Sequence, residues 1–262
     1  MKIAVLGARG FVGNSLASYL LHNNHVTPVT RDTLDMLNPT AVKHFLKEGK
    51  FDVIVNCAAV MTNNETLHDA RNNLGIFMNF YNNADLFGKF INTASGAEFD
   101  RTTNIDNALE TDIFNRMPVD SYGWGQNIKA RLCAQTSRFY NIRIFNCFGK
   151  GELSTRIFPK FLKEGKVEIN GDRYFDYFSI DDLQRVVEHC IMHDWPINDV
   201  NAVYENKIKI SQALTLFCST NNLEPNFTVV SESLNNYTGR GLSLKTLRIK
   251  LDGLEKGFKN YL

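Results

Sequence analysis

The chain has 262 residues, 44% of them hydrophobic, which suffices for a full core and suits one large α/β domain or one domain with a small lobe. Its 29 basic residues nearly balance 28 acidic ones and form no dense Lys/Arg run, so a nucleic-acid partner is not expected. Cys57, Cys133, Cys147, Cys190 and Cys218 are scattered with no Cys-x-x-Cys pair, only four apolar residues precede Gly7, and no segment holds about 18 uninterrupted apolar residues. These features predict a soluble, cytoplasmic protein with reduced thiols and no membrane association.

"KIAVLG" is a short, almost wholly apolar run, as a strand buried on both faces of a parallel sheet requires. "FVGNSLASYLLHNN" follows with helical spacing and "HVTPVTR" as a second strand, which completes a βαβ start. The alternation continues through the helix "NPTAVKHFLKEGK", the strand "FDVIVNCAA", a helix ending near Leu86, the strand "KFINTAS", a helix containing Tyr122 and the strand "NIRIFNCFG". Five strands separated by helices predict a doubly wound, Rossmann-like parallel sheet over residues 1–150. From Gly151 the elements shorten and the sequence becomes Asn-rich, which predicts a smaller substrate-binding lobe over 151–262, partly interleaved with the first domain.

"GARGFVG" sets Gly7, Gly10 and Gly13 between the first strand and the first helix. Glycines permit a tight turn and close approach of backbone to a pyrophosphate, whose charge a helix N-terminus favours. Arg9, Phe11 and Val12 belong to the same cofactor-binding turn. Arg31 ends the second strand about 18 residues after the last glycine, where an acidic residue would bind ribose hydroxyls and an arginine better matches a 2′-phosphate. The reading favours NADP(H), with NAD(H) the alternative if Asp32 rather than Arg31 faces the ribose.

With these motifs in this order, the chain resembles the extended short-chain dehydrogenase/reductase family, the NAD(P)-dependent nucleotide-sugar epimerases, dehydratases and reductases. "DVIVNCAA", "NNLG" (Asn72 to Gly75), "INTASGAEFD", "RIFNCFG" and "FDYFSIDDL" each resemble a family motif, and "TRDTLDMLNPTAVKHFL" is similar to the dTDP-4-dehydrorhamnose reductase and GDP-fucose synthase branch. The resemblance implies that Asp35 and Met36 flank the adenine and that Asn56, Ala58 and Ala59 line the cofactor groove. It implies catalytic roles for Ser95 and Tyr122, a substrate contact for Asn146, and a homodimer built from the helices after the third and fourth strands. Phe175 stands where the family motif has an arginine, so Arg173 or Arg156 would have to make the substrate pyrophosphate contact.

Gln126 stands where the family's Tyr-x-x-x-Lys motif has its lysine. Four residues from Tyr122 on a helix, it shares a face with the tyrosine and can reach the nicotinamide ribose, but it brings no charge to lower the phenol pKa. Oxidation of an alcohol needs tyrosinate, whereas reduction of a ketone needs the neutral phenol that is already present near neutral pH. Lys129, two helical turns on, reads as a solvated surface lysine. His189 and His193 lie one turn apart without a third ligand, so no metal is expected; "KTLRIKLDGLEKGFKNY" reads as a charged, solvated helical tail. The sequence thus predicts an NADPH-dependent reductase of a nucleotide-linked 4-keto-6-deoxy sugar, with or without epimerisation. The alternatives are a redox-neutral epimerase or dehydratase of the same substrates and a non-catalytic NADP-binding sensor.

Overall fold

A computed structural model of the chain describes residues 1–60, 66–233 and 235–262. The elements in order are β1 (Lys2–Leu6), α1 (Phe11–Leu20), β2 (His25–Val29), α2 (Pro39–Gly49), β3 (Val53–Asn56), α3 (Leu67–Tyr81), β4 (Lys89–Ser95), β5 (Ile105–Ala108) and α4 (Ser121–Cys133). They continue with β6 (Phe139–Ile144), β7 (Cys147–Phe148), α5 (Ile157–Glu164), β8 (Val167–Asp172), β9 (Phe178–Ser179), α6 (Ile180–Met192), β10 (Asp199–Ala202), α7 (Ile210–Thr220), β11 (Phe227–Glu232), β12 (Tyr237–Gly239), α8 (Leu242–Thr246) and α9 (Leu254–Lys259).

The central sheet has six strands in the order β10-β6-β4-β3-β1-β2, all parallel. This is the doubly wound sheet that the βαβ pattern predicts, with one strand more than the five counted in the sequence. The extra strand, β10, comes from the second half of the chain, and its short run "DVNA" carries too little apolar signal to be read as a buried strand.

Successive strand residues point to opposite faces, so each strand feeds two cores. Ile3, Val5, Val53, Val55 and Ile91 pack with Leu16 and Leu20 of α1 and with Leu183, Val186 and Val187 of α6. Ala4, Leu6, Ile54 and Phe90 face the other way, against Val42 and Leu46 of α2 and Ile76, Phe77 and Phe80 of α3. A separate cluster of Phe148, Phe158, Phe161, Phe217, Phe258 and Tyr261 packs among residues from the second half of the chain. Phe258 and Tyr261 correct the reading of the C-terminal segment: it breaks between α8 and α9, and its aromatic side chains are buried.

The helices around the site begin on local signals. Asn38 accepts hydrogen bonds from the Thr40 and Ala41 amides with Pro39 at the first helical position of α2, and Thr66 and Asp69 cap α3 reciprocally. Asp120 caps α4 by accepting from the Gly123 amide at 2.7 Å. Gly123 then lets α4 close on the turn after β4, because a Cβ there would sit 2.5 Å from the Ala97 carbonyl oxygen.

Polar residues cross the sheet at one register. Asn56, Asn92, Asn141 and Asp199 are direct partners on β3, β4, β6 and β10. Asn56 donates to Asn92 at 2.8 Å, Asn92 to Asn141 at 2.9 Å, and Asn141 to Asp199 at 3.1 Å and to the Glu98 carboxylate. Arg143, fully buried, binds Glu98, Asp199 and Asn201. Each of these ladder residues thereby keeps a partner, without which its desolvation would be strongly destabilising.

Candidate active site

The glycine turn has the geometry that a dinucleotide needs. Gly7 has φ +75°, and a Cβ on it would lie 2.7 Å from the Cys57 carbonyl oxygen and 2.8 Å from the Ala58 backbone; one on Gly13 would lie 2.3 Å from the Gly7 carbonyl oxygen. Side chains are therefore excluded where the ends of β1 and β3 meet the start of α1. Gly10 occupies the N-cap of α1 and offers no side-chain oxygen, so the first-turn amides face outward for an anion. Those residues fit the pyrophosphate of a dinucleotide. Phe11 and Val12, the first residues of α1, are half-buried and pack against the core below.

At the end of β2, Arg9 forms an ion pair with Asp32 across the turn, and both side chains remain largely exposed. Arg31, also exposed, lies beside them. The carboxylate that would favour ribose hydroxyls already has a cationic partner. Asp35 is exposed and accepts from the Leu37 amide at 3.0 Å, while Met36 is buried in the core with Leu34 and Val42. On β3, Asn56 is held by Asn92 and accepts from the Ala58 amide at 3.2 Å; Ala58 is half-buried and Ala59 exposed.

Ser95 ends β4, and its hydroxyl accepts from the Ala97 amide at 3.2 Å. Tyr122 lies in the first turn of α4, half-buried, with the Arg101 guanidinium 5.9 Å from the centre of its ring. Tyr237 of β12 is half-buried beside Ser95: its hydroxyl oxygen comes within 2.6 Å of where a Gly96 Cβ would be, it hydrogen-bonds with the Ser95 side chain, and Tyr122 acts on it electrostatically. Burial raises the Tyr237 pKa, and Arg101 opposes that rise. Phe145 and Phe175 flank its ring at 5.0 and 5.3 Å between centroids. The sequence carried no sign of this tyrosine, which stands far down the chain in an Asn-rich segment outside any motif.

Gln126 is buried on the same helix as Tyr122. Lys129 is not the solvated lysine that its spacing suggests. It is 3% exposed, and its pKa is lowered to about 8 by burial, against which the charge of Glu98 acts. Glu98, wholly buried, is in turn pushed up to about 7 by desolvation, with Arg143 opposing and Asp199 reinforcing. Helical spacing alone could not show that the face two turns beyond Tyr122 points into the sheet's polar interior.

The fold joins Asn146 and Arg156 through a hydrogen bond from the guanidinium to the Asn146 side-chain oxygen. Glu152 lies near Arg156, accepts from the Tyr261 hydroxyl at 2.7 Å and is pushed up to about 7 by burial. Arg173 stands apart from that pair, donating to the Asn235 carbonyl at 3.5 Å with its guanidinium 5.6 Å from the Phe175 ring centre. Phe175, in the arginine position of the family motif, packs on Tyr177 and Tyr237. Among the described residues no group of three or more His, Cys, Asp or Glu side chains is arranged to hold a metal ion, and Trp195 donates to His189 at 2.9 Å. No helix of the described residues is long and apolar enough to cross a membrane.

A glycine turn between the first strand and first helix of a doubly wound parallel sheet, with a serine ending β4 and a tyrosine opening α4, defines a dinucleotide-dependent short-chain dehydrogenase/reductase architecture. The model of the NAD dependent epimerase/dehydratase family matches residues 3–225, and the chain belongs to that family. Among curated proteins, a dTDP-4-dehydrorhamnose reductase of Burkholderia thailandensis is 29% identical over 171 residues, which cover 60% of this chain and 55% of that protein. The match therefore spans about half the length of that relative. Among solved structures, the GDP-mannoheptose C4 reductase of Campylobacter jejuni with NADP bound is similar at TM-score 0.81 and 20% identity, over 99% of this chain and 96% of that one. A dTDP-4-dehydrorhamnose reductase of Bacillus anthracis in complex with NADP is similar at TM-score 0.83 and 14% identity, over 100% and 98%. At those identities the structural likeness speaks for the fold.

Proposed function

We propose that the protein is an NADPH-dependent reductase of a keto group on a nucleotide-linked sugar, the 4-keto-6-deoxy sugars being the first class to test. The observation that carries this reading is that Gln126, not lysine, follows Tyr122 by one turn on α4, with Ser95 at the end of β4 and the Arg101 guanidinium over the Tyr122 ring. NADPH, when bound, supplies the hydride. The chain's own residues then have to orient the ketone and deliver a proton to its oxygen. Tyr122 donates as a neutral phenol, and Ser95 stabilises the developing negative charge on the same oxygen.

Reduction draws on the protonated tyrosine, which needs no neighbouring lysine; oxidation first, as in an epimerase that cycles through a ketone, draws on tyrosinate. The glycine turn fits the pyrophosphate, Arg31 is available for a 2′-phosphate, and Asp32 is engaged by Arg9. Asn146 and Arg156 are the side chains proposed to receive the nucleotide-linked sugar, with Arg173 the candidate for a more distant phosphate contact. The names of the relatives support this reading: the Burkholderia protein is a reductase of a nucleotide-linked ketosugar, and the Campylobacter structure is a C4 reductase with NADP bound. The proposal is reduction alone, without a preceding epimerisation.

The test is loss of nicotinamide absorbance when NADPH or NADH is mixed with protein and a panel of nucleotide 4-keto-6-deoxy sugars, repeated with Tyr122→Phe. Stoichiometric oxidation that collapses in the variant is expected. Conversion of the sugar without net NADPH consumption would assign a redox-neutral enzyme, and tight NADPH binding with no conversion would assign a sensor.

A further inference from the structure

The ring of Tyr122 has a cation over it, supplied from outside the motif. Arg101 follows the short helical turn Gly96–Glu98 that leaves β4, and its guanidinium carbon lies 5.9 Å from the Tyr122 ring centre. Asp120 holds it there: Oδ1 takes the Arg101 Nη2 at 2.7 Å and also the Gly123 amide at 2.7 Å. The carboxylate that starts α4 thus ties Arg101 to the helix turn on which Tyr122 is carried. The same guanidinium acts on Tyr237, the second phenol of the site, in the direction that favours ionisation.

We propose that Arg101 is a positioning residue that supplies to Tyr122 the positive charge absent from position 126. It acts through the phenol and makes it a stronger acid at the moment of proton donation. The inference rests on the reading of Tyr122 as proton donor. Other charged and titratable groups around the pair have roles of their own: Asp120 clamps Arg101, Tyr237 hydrogen-bonds with Ser95, Glu98 acts on Tyr237 from below, and Lys129 is set against Glu98. Asp100, next in the chain, is paired with Arg116 at 2.6 Å. Arg101 is partly exposed and paired with Asp120, so water, salt and the carboxylate weaken its field, and the effect is set below the contribution of the general acid itself.

The experiment compares wild type, Arg101→Met, Arg101→Lys, Gln126→Lys and the Arg101→Met/Gln126→Lys double variant. The readouts are kcat against pH and the ultraviolet titration of the phenol whose signal Tyr122→Phe removes. Arg101→Met is expected to lower kcat on the order of tenfold and to move that titration to higher pH. Arg101→Lys should retain most activity, and Gln126→Lys should restore kcat to the Met variant. The inference is overturned if Arg101→Met changes only KM and leaves the phenol titration in place, which would make Arg101 a ligand for the substrate. It is also overturned if Gln126→Lys alone raises wild-type kcat about tenfold, since no cation would then have been acting; this arm stands even if Arg101→Met fails to fold. Failure of the underlying reading looks different: Tyr122→Phe would leave turnover untouched.

Discussion

Lys129 and Glu98 are both buried and act on each other electrostatically: burial lowers the lysine pKa to about 8, against the pull of Glu98, and raises that of the glutamate to about 7. A lysine three positions past Gln126 is thereby committed to the polar interior beneath β4 and β6 and is not at Tyr122's service. Lys129→Met, which keeps the side-chain stem, is expected to leave kcat within about threefold and the Tyr122 titration unmoved, because its charge sits two helical turns along α4 from the tyrosine and acts on Glu98. Steady-state kinetics and phenol absorbance check this; a loss of tenfold or more would place Lys129 in the chemistry.

Tyr237 supplies a hydroxyl beside Ser95, and Phe145 and Phe175 flank its ring. Tyr237→Phe keeps the packing and removes the hydroxyl. The expectation is a fall in kcat on the order of tenfold with little change in melting temperature. A large fall in melting temperature with unchanged kcat would show that the phenol serves only to join β12 to the sheet.

Arg31 and Asp32 divide the cofactor question between them. With Asp32 paired to Arg9, Arg31→Ala is expected to weaken NADPH binding about tenfold to a hundredfold and leave NADH binding unchanged, the loss of charge-assisted hydrogen bonds to a 2′-phosphate. Fluorescence titration with both cofactors measures it. Equal weakening of the two would place Arg31 elsewhere than at the 2′-phosphate.

Most of this layout was legible in the sequence, for physical reasons. The glycine turn is local, its residues are contiguous, and Gly7 and Gly13 prove to be positions where backbone crosses backbone with no room for a Cβ. The parallel strands β1, β3, β4 and β6 are marked by apolar runs, although Asn56, Asn92 and Asn141 within them belong to a polar ladder that no periodicity announces. Tyr237 and Arg101 were invisible because their roles arise from chain segments brought together only by folding. Lys129 was misread because a lysine in a helix is ordinarily solvated, and only the approach of Glu98 and the sheet turns that face inward.

Glu152 gives the fold a pH signature. Its folded-state pKa, about 7, lies above the ordinary 4.5, so between those values the folded protein keeps a proton that the unfolded chain has released. Its contribution to stability is therefore present below about pH 4.5 and is lost as pH rises through 7. Glu152→Gln lacks this slope, so its stability relative to wild type should improve between pH 5 and 7 by on the order of 2 kcal/mol. Urea unfolding at the two pH values reads the difference; a constant offset would contradict it.

The most direct measurement of the central claim is transfer of deuterium from NADPH labelled at the nicotinamide C4 to a nucleotide 4-keto sugar, followed by mass spectrometry of the sugar product in wild type and Tyr122→Phe. A reductase that uses Tyr122 as its acid gives one deuterium at the new carbinol carbon and loses at least about a hundredfold in rate in the variant. Product formed without label, or labelled equally fast without the tyrosine hydroxyl, would contradict it.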